Sequence, residues 1–270
     1  MSDKIKLGAV AYASQVAVVW EIIAKFFEEE GHPIDTVFYK DYRTQIKDLL
    51  DGKIDIAWNS PLAHVEADIK SKGECGFSMM RDTDQDRTSC YIAKVDSGID
   101  SFEDMRGKTI GFGAKDSPQA RLIPIESLRE AGLEPEKDYT EKDFDVDQGL
   151  DGDHIGGEID ALEALKKGEV DVAVIANENW EAWTADGTIN KDEIKLVERT
   201  GTFDHCIFTL RPGFPAEAQE EWESILGRMD YNNPEHKEMM DMEGLKKWVP
   251  GRDTNFTLLR KAVDYLNFFE

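Results

Sequence analysis

Apolar positions recur at two spacings along this chain, and the two alternate. Residues 4–10 and 34–39 are short runs of strand character. Between them, residues 16–30 place apolar side chains at helical spacing, and Gly31 ends that helix. The pattern continues with a helix over 43–51, a strand over 54–58 and a helix over 61–70. Strands at 77–80 and 91–95 flank a polar loop at 81–88. A second series starts near Ser97, with a short helix at 101–105 and a strand at 109–112. Ser117 as cap and Pro118 in the first helical position open a helix that Gly132 terminates. Residues 142–146 are strand-like, 147–157 form a loop rich in Asp and Gly, and a helix at 158–167 leads to a strand at 170–176. Strands at 195–199 and 206–210 follow, and from Pro215 the pattern is helical, broken at 232–234 and 250–251. Strands alternating with helices predict an α/β protein built on mostly parallel sheets.

One phrase occurs twice. Helix 43–51, Gly52, then Ile54-Asp55-Ile56-Ala57-Trp58-Asn59-Ser60-Pro61 is echoed by helix 159–167, Gly168, then Val170-Asp171-Val172-Ala173-Val174-Ile175-Ala176-Asn177-Glu178. Each copy runs from a helix through a glycine stop and a buried strand into a polar turn that opens another helix. In open α/β sheets, ligands sit at such carboxyl ends of strands, where helix starts present free N–H groups. Two copies predict two similar lobes facing one cleft. The chain has no linker, so it is expected to cross between lobes near 92–96 and 200–206. Residues 1–92 plus 205–270 then form one lobe and 96–200 the other. The turn residues Asn59, Ser60 and Ser117 become candidates for ligand contact, as does Glu178, which follows its strand where Ser60 follows the other.

Composition narrows the partners. The chain has 270 residues, 40% hydrophobic and 33% charged, enough for a sizeable core. The net charge of −24 repels phosphate backbones and argues against nucleic acid. No apolar run is long enough for a membrane helix. The three cysteines, Cys75, Cys90 and Cys206, have no metal-ligand spacing, so neither a metal site nor a disulfide framework is expected. Gly-x-Ser-x-Gly, Walker, dinucleotide-binding and HExxH motifs are all missing, and no cofactor is expected.

The order and spacing of several short marks resemble the phosphonate-type substrate-binding proteins of ABC importers. These marks are Lys40-Asp41-Tyr42, Val95-Asp96-Ser97-Gly98-Ile99, Ser117 with Pro124, His154 ahead of a helix ending in Gly-Glu-Val-Asp, and Asp204 before a strand. The resemblance runs from about Ile5 to about Arg211. It implies the type 2 periplasmic-binding architecture: two Rossmann-like lobes with a ligand cleft between them. It also implies site roles. Tyr42, Ser117 and His154 match donors to the phosphonate oxygens. Glu178 and Asp204 match two carboxylates that hold the amino group in aminoalkyl-phosphonate binders. Thr88, beside Ser89, stands where the family carries a tyrosine, and Pro118 replaces a second hydroxyl of the serine-threonine turn.

The expected function is therefore capture of a small oxyanion, an aminoalkyl-phosphonate-like zwitterion, by closure of two lobes. The expected partner is an ABC permease, with the binding protein acting as a monomer. Two alternatives are a cytoplasmic enzyme on the same bilobal fold, of the menaquinone- or thiamin-precursor type, and a cytoplasmic ligand sensor. As written the chain shows no leader, which predicts a cytoplasmic location, or a periplasmic one if a leader has been removed.

Overall fold

A computed structural model of the chain describes residues 4–11, 14–144 and 157–269. In chain order the elements are β1 (Lys6–Val10), α1 (Ser14–Glu29), β2 (Asp35–Tyr39), α2 (Tyr42–Leu50), β3 (Ile56–Asn59), α3 (Pro61–Ser71), β4 (Gly76–Phe77), β5 (Met79–Arg81), β6 (Ser89–Lys94), β7 (Thr109–Phe112), α4 (Ile123–Glu130), β8 (Thr140–Asp143), α5 (Glu158–Lys167), β9 (Val172–Ala176), α6 (Asn177–Ala185), β10 (Ile194–Arg199), β11 (Ile207–Leu210), α7 (Ala216–Leu226), α8 (Pro234–Glu243), β12 (Trp248–Pro250) and α9 (Thr257–Tyr265). The chain divides into two compact units, Met1–Gln85 with Asp204–Asn255, and Asp86–Phe203 with Phe256–Glu270.

The first unit carries a sheet of order β2-β1-β3-β11-β4. The pairs β1–β2 and β1–β3 are parallel, whereas β11 runs antiparallel to β3 and to β4. Its core is aromatic. Trp58 packs on Phe208 with ring centroids 4.7 Å apart, and Phe27 stacks on Trp222 at 4.6 Å. Trp58 is buried in this core. The apolar stretch expected as one strand over 77–80 forms two short strands, and β5 pairs with β12 to make a separate ribbon. Three residues are too few for β12 to show a period in the sequence.

The second unit carries a sheet of order β10-β6-β9-β7-β8. Here β7–β8 and β7–β9 are parallel, while β6 is antiparallel to both β9 and β10. Side chains alternate across a strand, and both faces are filled. Cys90, Ile92, Ala173 and Ile175 enter one core, and Tyr91, Ala93, Val172 and Val174 enter the other. Burial on both faces explains why β6 and β9 are continuously apolar rather than alternating.

The C-terminal helix corrects the expected division. Residues 205–270 were grouped with the first lobe, but 256–270 belong to the second unit. Helix α9 packs beside α4. The Arg129 guanidinium lies 3.4 Å from the Tyr265 ring centroid, Lys261 pairs with Glu130 at 2.6 Å, and the Tyr265 hydroxyl donates to Glu134 at 2.9 Å. An apolar stripe at Leu259, Ala262 and Val263 marks a buried face in sequence without saying which surface covers it.

Candidate functional site

In each unit the candidate residues gather at one end of the sheet, the carboxyl end of its parallel strands. In the first unit β3 ends at Asn59, and Ser60 caps α3 by accepting the Ala63 N–H at 3.3 Å. The register Ile207↔Asn59 puts Asp204, just ahead of β11, at that same end. Tyr42, buried, opens α2, whose cap Asp41 accepts the Thr44 N–H at 2.7 Å. One turn further, Gln45 Nε2 donates to Asn59 Oδ1 at 2.8 Å and to Trp58 O at 2.9 Å, tying α2 to the end of β3. Asn59 Nδ2 then donates to the Thr209 hydroxyl at 2.9 Å. His64 Nδ1 meets the same hydroxyl at 2.9 Å, and its Nε2 reaches Asp253 at 3.3 Å. Gln45, His64 and Thr209 were missed by the sequence reading; as ordinary polar positions inside apolar elements they carry no local motif.

In the second unit the register Ser89↔Ala176 brings Thr88 and Ser89 to the carboxyl end of β9. Thr88 O accepts the Asn177 N–H at 3.0 Å. Ser117 follows β7 and caps a wide turn over Pro118–Leu122 by accepting the Ala120 N–H at 3.1 Å; α4 starts only after that turn. The Ser89 hydroxyl donates to Gln119 O at 2.5 Å, so two segments expected to touch the ligand also touch each other. Gly113 makes this possible, because a Cβ there would stand 2.6 Å from Ala120 Cβ. His154 lies outside the described residues.

The two repeated phrases share one device. Asp55 accepts the Lys6 N–H at 3.0 Å, and Asp171 accepts the Thr109 N–H at 2.9 Å. Each aspartate thus satisfies the first amide of the neighbouring parallel strand. The copies differ at the helix starts that follow. Where Ser60 caps α3, the start of α6 has no side-chain cap of its own. Glu158 of α5 takes that role, accepting the Ala176 N–H at 2.7 Å and the Asn179 amide at 2.6 Å. Burial raises its pKa above the ordinary 4.5, and these two bonds oppose the rise.

The two acids expected to hold an ammonium group each have an arginine. Glu178, half exposed, lies 3.3 Å from Arg87 Nε. Asp204 accepts from Arg252 Nε at 2.6 Å and Nη2 at 2.8 Å, and from Asn255 Nδ2 at 3.1 Å. Trp180 and Trp183 pack with the core of the second unit. Burial pushes the Cys90 thiol up to about 12. Among the described residues, Asp84, His205 and Cys206 bring three ligating atoms within 4.8 Å of one another. Arg81, however, forks onto Asp84 at 2.6 and 2.9 Å, so a cation already sits against that cluster.

Comparison with known proteins gives the family and the fold. A 27-residue stretch is 74% identical to an uncharacterized protein of Haemophilus influenzae, covering 10% of this chain and 38% of that one. The probable ABC transporter phosphite binding protein PhnD1 of Prochlorococcus marinus (strain MIT 9301) is 21% identical over 225 residues, 79% of this chain and 72% of its own length. The structure of PhnD1 in complex with methylphosphonate matches with a TM-score of 0.66 at 17% identity, over 97% of this chain and 98% of that one. A Xanthomonas citri protein bound to ATP matches with a TM-score of 0.74 at 16% identity, over 99% of both chains. At such identities the structural likeness is one of fold, the two-lobed type 2 periplasmic-binding fold. Residues 7–256 match the family described as "ABC transporter, phosphonate, periplasmic substrate-binding protein", and the chain belongs to this family of transport binding proteins rather than to an enzyme family.

Proposed function

We propose that this chain captures a small phosphorus oxyanion of the phosphite or phosphonate class, closes its two lobes over it, and delivers it as a monomer to an ABC permease. The observation that carries this reading is the clustering, in each unit, of hydroxyl and amide side chains with a helix start at the carboxyl end of the parallel strands: Tyr42, Asn59 and Ser60 in one, Thr88, Ser89 and Ser117 in the other. Such ends offer N–H and O–H donors together with the positive end of the helix dipole, which suits an oxyanion. His154 is proposed as a further donor from the resemblance alone. The kinship with PhnD1, a probable phosphite binder crystallised with methylphosphonate, points the same way. Differential affinity of the ligand for the closed state would drive closure.

The finer ligand reading adds an amine held by Glu178 and Asp204. The arginines already on both acids favour an oxyanion without one.

Calorimetric titration with phosphite, methylphosphonate and phosphate tests the proposal. Ser117→Ala and Tyr42→Phe should each weaken binding by about 1–3 kcal/mol, since each removes a donor to a buried charged acceptor. Unchanged affinity in both variants would place the anion elsewhere, and no binding of any of the three below about 1 mM would end the oxyanion reading.

A further inference from the structure

One run of buried side-chain hydrogen bonds joins four elements of the first unit. Gln45 of α2 donates through Nε2 to Asn59 Oδ1 at 2.8 Å, and Asn59, the last residue of β3, donates through Nδ2 to the Thr209 hydroxyl of β11 at 2.9 Å. That hydroxyl meets His64 Nδ1 of α3 at 2.9 Å, and His64 Nε2 reaches Asp253 at 3.3 Å. Gln45, Asn59 and Thr209 are fully buried, and His64 is nearly so. One placement of hydrogens satisfies every link. Thr209 accepts from Asn59 and donates to His64 Nδ1, which leaves the His64 Nε2–H for the Asp253 carboxylate. All donors then point the same way toward a negative charge, so each bond polarises the next.

Stability alone does not call for this run. Gln45 Oε1 is buried with no hydrogen-bond partner among the described residues. It lies over β1 at Gly8, where a Cβ would stand 3.3 Å from it and 2.5 Å from Ile54 Cδ1. A buried acceptor without a donor costs free energy, and apolar groups of the same shape along the run would avoid that cost. What the run does join is two helix starts. Gln45 lies one turn into α2, which Tyr42 opens. Asn59 directly precedes Ser60, the cap of α3, and His64 lies one turn into α3. Gln45 Nε2 also donates to Trp58 O at 2.9 Å, a second hold on the end of β3. Donors held at a set separation bind a ligand without an ordering cost.

We infer that Gln45 and Thr209 are positioning residues for ligand capture: through Asn59 and His64 they set the Tyr42 end of α2 against the Ser60 end of α3. This rests on the oxyanion-capture reading above. They act through the donors at those two helix starts.

The test is calorimetry with methylphosphonate on the wild type, Gln45→Met, Thr209→Val and the double variant, each held well below its own thermal unfolding midpoint. Either single substitution should weaken binding by about tenfold, although each keeps the shape of the side chain. Because both break the same run, the double variant should bind no more than about threefold more weakly than the worse single variant. Thr209→Ser, which keeps the hydroxyl, should recover most of the affinity that Thr209→Val loses. Ser78→Ala serves as a control for stability, since it removes a hydrogen bond to Glu223 of α7 that lies outside the run. It should lower the midpoint and leave the affinity in place. Unchanged affinity in folded Gln45→Met and Thr209→Val overturns the inference while leaving oxyanion capture standing. So do losses that add fully in the double variant, or a Ser78→Ala protein that binds as weakly as the others. If Thr209→Val does not fold, the affinity of Gln45→Met decides alone. A wild type that binds neither methylphosphonate nor phosphite overturns the oxyanion reading, and this inference with it.

Discussion

Two buried carboxylates in this protein are satisfied by different means. Asp204 meets a guanidinium, while Glu158, among the described residues, accepts from the Ala176 N–H and the Asn179 side-chain amide. Burial dominates at Glu158 and its pKa rises above 4.5. The folded state then holds the proton more tightly than the unfolded chain does. The stabilising contribution of Glu158 is accordingly full below about pH 4.5, where both states are protonated. It is lost progressively as pH rises through the folded pKa, where both states become ionised. Glu158→Gln keeps an acceptor for both bonds and removes the titration. The stability of the wild type relative to this variant should therefore fall as pH rises from about 4.5 toward neutrality, read from denaturant midpoints. A difference that stays level or grows over that range would contradict the assignment. At this scale the sequence was informative about residue type and poor about pairing. Ser60 and Ser117 cap as expected. The arginines on Glu178 and Asp204 come from distant segments that no local pattern connects.

Elements followed the hydrophobic periods closely where they were long. The helix expected at 61–70 is Pro61–Ser71, and the strand expected at 195–199 is Ile194–Arg199. Short pieces were lost: β12 was unseen, and the wide turn before α4 was read as ordinary helix. The repeated Ile/Val-Asp-Ile/Val-Ala phrase had a structural cause that its sequence did not disclose. Asp55 and Asp171 each bond the first amide of an adjacent parallel strand and so fix the register of β1–β3 and β7–β9. Asp55→Ala and Asp171→Ala should each lower unfolding stability by about 1–2 kcal/mol, the cost of leaving a strand amide without its acceptor. Urea denaturation of both variants checks this, and two changes below about 0.3 kcal/mol would show the bonds to be incidental.

For the whole molecule, the net charge of −24 is the governing electrostatic fact. Many acids are locally paired, yet 56 carboxylates face 32 basic side chains, and the excess repels itself in the compact state. Salt screens that repulsion, with a Debye length of about 10 Å at 0.1 M. The thermal midpoint should rise as NaCl goes from about 0.01 to about 1 M, as followed by circular dichroism. A midpoint that falls over this range would mean that the local ion pairs outweigh the net repulsion. The same field opposes an anionic ligand, so the donors gathered at the strand ends must act locally and at short range.

The sequence by itself determined the α/β class, the order of most elements, the two turns that open helices at strand ends, and the family. Each of these follows from short-range periodicity or from motifs spaced within one βα unit. Only the tertiary structure decided which carboxylates are already neutralised, which unit receives α9, and which polar side chains brace the site. Those outcomes depend on contacts between segments far apart in the chain, such as Asp204 with Arg252, α9 with α4, and Asn59 with Thr209. A hydrophobic pattern tells a residue that it will be buried; it does not tell it what it will be buried against.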